Sequence, residues 1–424
     1  MLISSLFTLH QLRRNQWLDA ESVRQIQRNK LVRMIAHAYQ NVGYYRKLFD
    51  SAGIRPEDIR SEEDLVKIPI TTRSKLQSLS PDDIVAKNVD LKRCIRRTTA
   101  GSSGTPLIVF FRRHDKEYYD MVWARTSLET GRKLWDKVAS FRTELPPSYW
   151  TEGVALWKKK VISIFDDPMN QIAHLQRLKP DIIQANTLEL VKLARCIIDN
   201  GVRGITPRLV YSRGSQLDPA TREMIRSAYQ APVYDFYGSR ELGCMAWECA
   251  EHSGYHVNID ALIVEIIREG RPVSPEKAGR IVCTGLQSFA MPFIRYDIGD
   301  IGVLSSSRCA CGRSLPLLKS IEGRADDFLV ASDGTLRSPL ILTERLKLIP
   351  GIKEFRIIQE NSSDTTAHVV PDERYSSSTS VALREVMERT MGNSVSIRIE
   401  LLDTIPVDRS GKIRSIISKV QRDF

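Results

Sequence analysis

Residues 161–237 restrict the fold more than any other stretch, because apolar runs and amphipathic stretches alternate there. Val161-Ile162-Ser163-Ile164-Phe165, Asp181-Ile182-Ile183-Gln184-Ala185, Arg208-Leu209-Val210-Tyr211-Ser212 and Pro232-Val233-Tyr234-Asp235-Phe236-Tyr237 read as strands. Residues 170–178, 188–198 and a stretch opened by Asp218-Pro219-Ala220-Thr221 read as helices. Strands separated by helices are joined by crossovers, which build a mostly parallel sheet with helical cover.

The flanks read differently. Residues 19–52 carry Val23, Ile26, Leu31, Ile35 and Ala38 at roughly helical spacing, until Gly53 and Pro56 break the pattern. A short charged helix is expected over 57–65. Thr72 is placed to cap a helix over 73–79. A strand follows at 107–111, a long helix at 115–134 and strand material at 154–157. Beyond Gly254 short apolar runs at 257–259, 262–267, 279–284 and 300–304 lack long helices, which suggests an antiparallel or barrel-like subregion. After Arg324 a helix (340–348), two strands (352–359, 366–370) and a helix (379–391) form a small α+β unit. The expected fold is α/β: a large domain over 1–324 with helix-covered sheets and a small barrel-like subregion, then a small α+β domain over 325–424.

Composition excludes some functions. A chain of 424 residues supports more than one core. The net charge of +11 suits nucleotides and coenzymes as well as a solvated basic surface. No basic stripe interleaved with aromatics is present, so nucleic acid is not an expected partner. No apolar run nears the roughly 18 residues that span a bilayer, so no stable membrane insertion is expected. The apolar start, Met1-Leu2-Ile3-Ser4-Ser5-Leu6-Phe7, lacks a basic n-region and a cleavage site. It reads as a short helix resting on the body, with a membrane surface as the alternative. The cysteines number seven, an odd count that fits a reducing, cytoplasmic setting better than a disulfide framework.

Five short motifs carry chemistry. Thr99-Ala100-Gly101-Ser102-Ser103-Gly104-Thr105-Pro106 combines glycines, which let the backbone approach a ligand, with hydroxyls and free N–H groups suited to anionic oxygens. It reads equally as a phosphate loop or as a Ser/Gly hairpin turn. Asp235-Phe236-Tyr237-Gly238-Ser239-Arg240-Glu241 ends a strand in an aromatic, a turn and a carboxylate. Ligands of open α/β sheets bind at such strand ends, and a carboxylate there suits Mg²⁺. Arg295-Tyr296-Asp297-Ile298-Gly299-Asp300 offers a carboxylate for vicinal ribose hydroxyls. Gly323-Arg324-Ala325-Asp326-Asp327 marks the change of texture, and Ser410-Gly411-Lys412-Ile413-Arg414 puts a lysine on a glycine turn.

Together and in this order, the motifs resemble those of adenylate-forming enzymes, in particular the phenylacetate–CoA ligase family and its relatives in capsular polysaccharide biosynthesis. The resemblance runs from Tyr44-Tyr45-Arg46 to Gly411-Lys412-Ile413. It implies that Thr99, Gly101, Ser102, Ser103, Gly104 and Thr105 lie over the ATP phosphates. Ser212, Gly214 and Ser215 would meet adenine. Asp235, Phe236, Tyr237, Gly238 and Ser239 would flank it, with Tyr237 stacked on the ring. Glu241 would bind Mg²⁺, and Asp300 and Arg324 would hold the ribose. Asp326 would be the hinge of a mobile C-terminal lid, and Lys412 would bridge the carboxylate and the α-phosphate. The implied activity is ATP-dependent conversion of a small-molecule carboxylic acid to acyl-AMP, followed by transfer to coenzyme A. Transfer to an amine or sugar is the alternative, and a non-catalytic nucleotide-binding protein is the reading from another class. Departures are Thr105 where lysine is common, Asp297-Ile298 where Arg-Thr is usual, and Arg240 for a usual threonine.

Three late thiols and an imidazole suit a tetrahedral structural Zn²⁺ site. Cys249, Cys309 and Cys311 supply the thiols, with His252 or His256 as the fourth ligand; unligated thiols in a turn are the alternative. The resemblance selects His256. Oligomeric state and the identity of the acid are left open by the sequence.

Overall fold

A computed structural model of the protein describes residues 2–99, 106–143, 159–392, 394–406 and 414–420. The chain forms two compact units. One comprises Met1–Asp136, Tyr234–Ile298 and Gly302–Ser320, and the other Lys137–Val233, Gly299–Ile301 and Ile321–Phe424.

The second unit contains the expected alternation. Its strands stand in the order Leu209–Arg213, Ile182–Asn186, Val138–Arg142, Lys159–Ser163, all parallel. The helices Pro168–Leu178 and Thr187–Asp199 run between them in sequence, and Pro219–Tyr229 follows the last. Each helix starts where a side chain satisfies orphan N–H groups: Asp167 for Met169 and Asn170, Asn186 for Glu189, Asp218 for Thr221. Ile162, Leu175, Ile183, Leu193, Val210 and Ile225 share one buried core. The strand Val138–Arg142 escaped the sequence reading because Ser140 and Arg142 interrupt its apolar run. The strand expected at 154–157 lies outside the described residues.

The C-terminal part of this unit has its own four-stranded sheet, ordered Ser396–Leu401, Asp364–Pro371, Ile352–Gln359, Ile416–Ser418. The central pair is antiparallel and both outer pairs are parallel. The helices Pro339–Lys347 and Ser377–Met391 accompany it, and Leu342, Ile357, Val369, Leu383, Met387 and Ile397 form a second core. The outer strands were not expected; Ser396–Leu401 alternates apolar with charged residues, which also fits a solvated loop.

The first unit carries the antiparallel texture read beyond Gly254. Its strands follow the order Arg271–Pro272, Leu262–Arg268, Ala278–Gly285, Tyr296–Leu304, Leu317–Arg324, Tyr255–Val257, Gly243–Glu248, Val233–Ser239. The register is antiparallel at each pair from 262–268 to 271–272 and 278–285, and through the 233–257 meander. Among the described residues this order is linear, so of the two readings, antiparallel or barrel-like, the antiparallel sheet is the one present. The helix expected over 19–52 is divided into Ala20–Asn41 and Gly43–Ser51, because Val42 takes an extended backbone (φ −117°, ψ 116°). Two 3₁₀ turns, Pro56–Asp58 and Glu62–Lys67, stand where one short helix was expected. Thr72 caps the helix Arg73–Gln77 as read, accepting from Lys75 N. Among the described residues no helix is long and apolar enough to cross a membrane.

Candidate active site

Glu241 sits in the turn between the strands Val233–Ser239 and Gly243–Glu248. That hairpin carries an irregularity at Tyr237/Gly238. A Cβ on Gly238 would lie 2.2 Å from the Gly243 carbonyl oxygen, so only glycine permits this close approach. Ser239 Oγ accepts from Leu242 N (3.1 Å) and pins the turn. The result holds the Glu241 side chain 2% exposed. Its Oε1 accepts from Arg73 Nη2 at 2.7 Å and from the Tyr296 hydroxyl at 3.0 Å. Burial works against the Arg73 charge, but the Glu241 carboxylate and the Tyr296 oxygen together outweigh it and raise the guanidinium pKa. Burial, reinforced by Glu241, likewise pushes the Tyr296 hydroxyl up and keeps it a neutral donor. Both hydrogen bonds fall on Oε1, so Oε2 is the oxygen this carboxylate can offer a hard cation such as Mg²⁺.

Glu241 is legible within its sequence motif, whereas Arg73, 168 positions away, stands in the sequence only as the first residue of a capped helix. No local signal links the two. Tyr296 belongs to the Arg295–Asp300 motif, whose sequence pattern points to the carboxylate of Asp300 and not to this hydroxyl.

Elsewhere in the same unit, Thr99 N donates to Leu107 O and Leu107 N donates to Thr99 Oγ1, both at 2.9 Å. The strands Ile95–Thr98 and Ile108–Phe111, which flank the hydroxyl-rich segment in sequence, pair antiparallel. Gly101, Ser102, Ser103, Gly104 and Thr105 lie outside the described residues. Asp235 is buried; its Oδ2 accepts from the Tyr255 hydroxyl at 2.9 Å, and its N–H donates to Glu248 Oε2 at 2.9 Å. Phe236 is also buried, 4.8 Å from the Trp123 ring, whereas Tyr237 is half-buried.

In the second unit, the loop after Leu209–Arg213 is tied by Thr187, whose Oγ1 lies 3.0 Å from Ser212 Oγ and donates to Ser215 O at 2.8 Å. Gln216 Nε2 donates to Ile321 O at 2.7 Å. Asp300 and Arg324 form an ion pair, Oδ1 to Nη1 at 3.3 Å. Gly299 has φ +82°, and a Cβ there would stand 2.7 Å from Arg324 Nη2. Asp326 is exposed on the 3₁₀ turn Ala325–Asp327, beside an Arg414–Asp327 ion pair. Lys412 lies outside the described residues.

The thiols converge as read. Ligand atoms of Cys249, His256, Cys309 and Cys311 all lie within 4.8 Å of one another. Cys249 and Cys309 sulfurs are 3.6 Å apart, and Cys311 Sγ is 3.3 Å from His256 Nε2. Donors about 2.0–2.3 Å from a common tetrahedral zinc stand roughly 3.5–3.8 Å apart, so this cluster fits the ion. Burial, with Arg313 nearby, lowers His256 to about 4, which keeps the imidazole neutral and able to ligate. Burial pushes the Cys249 thiol up to about 12, a cost that a bound cation replaces. His252, the other candidate, instead faces Glu248, 3.5 Å from its Oε2.

Residues 329–419 match the CapK C-terminal domain family. The phenylacetate-coenzyme A ligase of Thermus thermophilus is 27% identical over 328 residues, which is 74% of this chain and 73% of that protein. Protein CapK of Staphylococcus aureus is 21% identical over 84% of this chain and 82% of its own. Among solved structures, 2-hydroxyisobutyryl-CoA ligase in the postadenylation state in complex with 2-HIB-AMP superposes with a TM-score of 0.82 at 20% identity, over 96% of this chain and 91% of that one. The chain is similar to the phenylacetate-coenzyme A ligases over three quarters of its length, shares the fold of 2-hydroxyisobutyryl-CoA ligase, and matches the CapK C-terminal domain family over residues 329–419.

Proposed function

We propose that the protein uses ATP to convert a small-molecule carboxylic acid to acyl-AMP, releasing pyrophosphate, and then passes the acyl group to coenzyme A. The observation that carries this reading is the likeness to phenylacetate-coenzyme A ligases along three quarters of the chain. The residue roles are part of the proposal. Glu241 offers Oε2 to Mg²⁺ while Arg73 and Tyr296 fix its orientation through Oε1. Bound Mg²⁺ supplies charge neutralisation at the triphosphate. Lys412 counters the charge of both carboxylate and α-phosphate, which otherwise repel. Thr99 to Thr105 enclose the phosphates. Ser212, Gly214, Ser215, Asp235 and Tyr237 take the adenine, and the Asp300 carboxylate accepts from the ribose hydroxyls beside Arg324. Residues 1–324 form the body and 325–424 the lid, turning at Asp326; the separate core around Leu342 and Val369 supports that boundary. The cysteine cluster binds zinc in a structural role. All seven cysteines are free thiols, which fits the cytoplasm, where ATP and coenzyme A are supplied.

In a second reading the acceptor is an amine or sugar. Acid-dependent pyrophosphate exchange across a panel of aryl, arylacetic and short hydroxy acids tests the first half-reaction. AMP release with and without coenzyme A then separates the acceptors. Lys412→Ala is expected to abolish exchange. Equal background exchange by wild type and variant with every acid refutes the ligase reading.

A further inference from the structure

The helix Leu2–Asn15 has two unlike faces. One packs on the helix Arg113–Glu129. There Leu12 is buried, its carbonyl accepts from Arg125 Nη1 (3.3 Å), and the buried Gln16 that follows the helix accepts from Ser314 N through its own carbonyl. The opposite face stands in solvent. Leu6, Phe7 and Trp17 are 56%, 61% and 54% exposed, and His10, Arg13 and Arg14 lie exposed between them in sequence. Positions 6/7, 10, 13/14 and 17 recur with the helical period and form one stripe.

Its charge is one-sided. Residues 1–18 contain no Asp or Glu. The carboxylate bordering the stripe, Glu129, is already paired with Arg13 Nε at 2.9 Å and Arg313 Nη2 at 2.7 Å. The Arg313 guanidinium also lies 4.8 Å from the Trp17 ring centroid. Exposed Leu, Phe and Trp interspersed with arginines form the pattern of an interfacial helix, whose apolar side chains enter the headgroup boundary while the cations meet anionic lipid. The net charge of +11 draws the whole molecule to the same surface.

We propose that this stripe adsorbs the protein reversibly to an anionic phospholipid bilayer. The occupant is lipid rather than a second copy of the chain, because a self-complementary contact would press together two stripes that each carry Arg13 and Arg14 and no acidic residue of their own. The helix lies on the membrane and does not cross it. This surface is independent of the ligase reading above.

The test is co-sedimentation of the full chain with vesicles of phosphatidylcholine alone or mixed with phosphatidylglycerol. Wild type is expected to sediment with the mixed vesicles at low salt, little with neutral ones, and progressively less as salt rises. Arg14→Ala should weaken binding about fivefold. Leu6→Ser combined with Phe7→Ser should weaken it by about tenfold or more. All three side chains are solvent-exposed, so the variants should keep the wild-type melting temperature. Equal sedimentation with neutral and anionic vesicles, no sedimentation with either, or variants that bind as wild type overturns the proposal. So does a dimer in size-exclusion chromatography that Phe7→Ser dissolves in a protein that ignores vesicles.

Discussion

Removing the Arg73 guanidinium should strand the Glu241 carboxylate. That carboxylate is 2% exposed and accepts at Oε1 from Arg73 at 2.7 Å and Tyr296 at 3.0 Å. Breaking a buried ion pair from one side costs roughly 3–5 kcal/mol, because the remaining charge is uncompensated. Arg73 is 21% exposed, so water screens part of the attraction, and Tyr296 continues to donate. The expected loss for Arg73→Leu is therefore about 2–3 kcal/mol. Glu241→Leu removes the charge itself but strands Arg73, which can turn toward solvent, so its cost is about 1–2 kcal/mol. The double variant replaces the pair by apolar groups and should be less damaged than the two single losses combined, with a coupling of about 2 kcal/mol. Urea denaturation of the four proteins, followed by tryptophan fluorescence, measures the cycle. Single losses that simply add, with coupling below about 0.5 kcal/mol, would refute the account of Glu241 as a carboxylate held by Arg73.

Lys30, whose ammonium donates to the Tyr118 hydroxyl at 2.8 Å and the Asp260 carbonyl at 2.7 Å, is lowered by burial from 10.5 to about 8, against the pull of Asp260. Below pH 8 folded and unfolded chains both carry its proton; between pH 8 and 10.5 only the unfolded chain does, so rising pH should stabilise wild type relative to Lys30→Met by about 3 kcal/mol. A stability difference flat across that window contradicts the burial argument. Metal analysis of purified protein should find about one zinc per chain, lost together with stability in Cys309→Ser; a fully stable, metal-free protein removes the zinc site. Gly299→Ala should push Arg324 from Asp300, since its Cβ would stand 2.7 Å from Nη2, and should raise the KM for ATP several-fold with a smaller effect on kcat. An unchanged KM would place that ion pair away from the nucleotide.

What the sequence settled by itself was local. The strand–helix alternation over 161–237, the caps at Thr72 and Asp218, and the C-terminal α+β pattern were legible because periodicity and capping act within one turn or one strand. His256 over His252 followed only from the family resemblance, but the thiols of the cysteine cluster were legible as zinc donors by residue type. The break at Val42 was not, because it rests on one residue's backbone angles. Whether the antiparallel strands beyond Gly254 stay open or close into a barrel was not either: strand order depends on which edges meet, and short apolar runs fit both. Tertiary structure alone decided that Arg73 and Tyr296 hold Glu241, and that Phe236 packs beside Trp123. Ion pairs between residues 168 positions apart leave no periodic trace in the chain, since their energy arises only when the fold removes both partners from water.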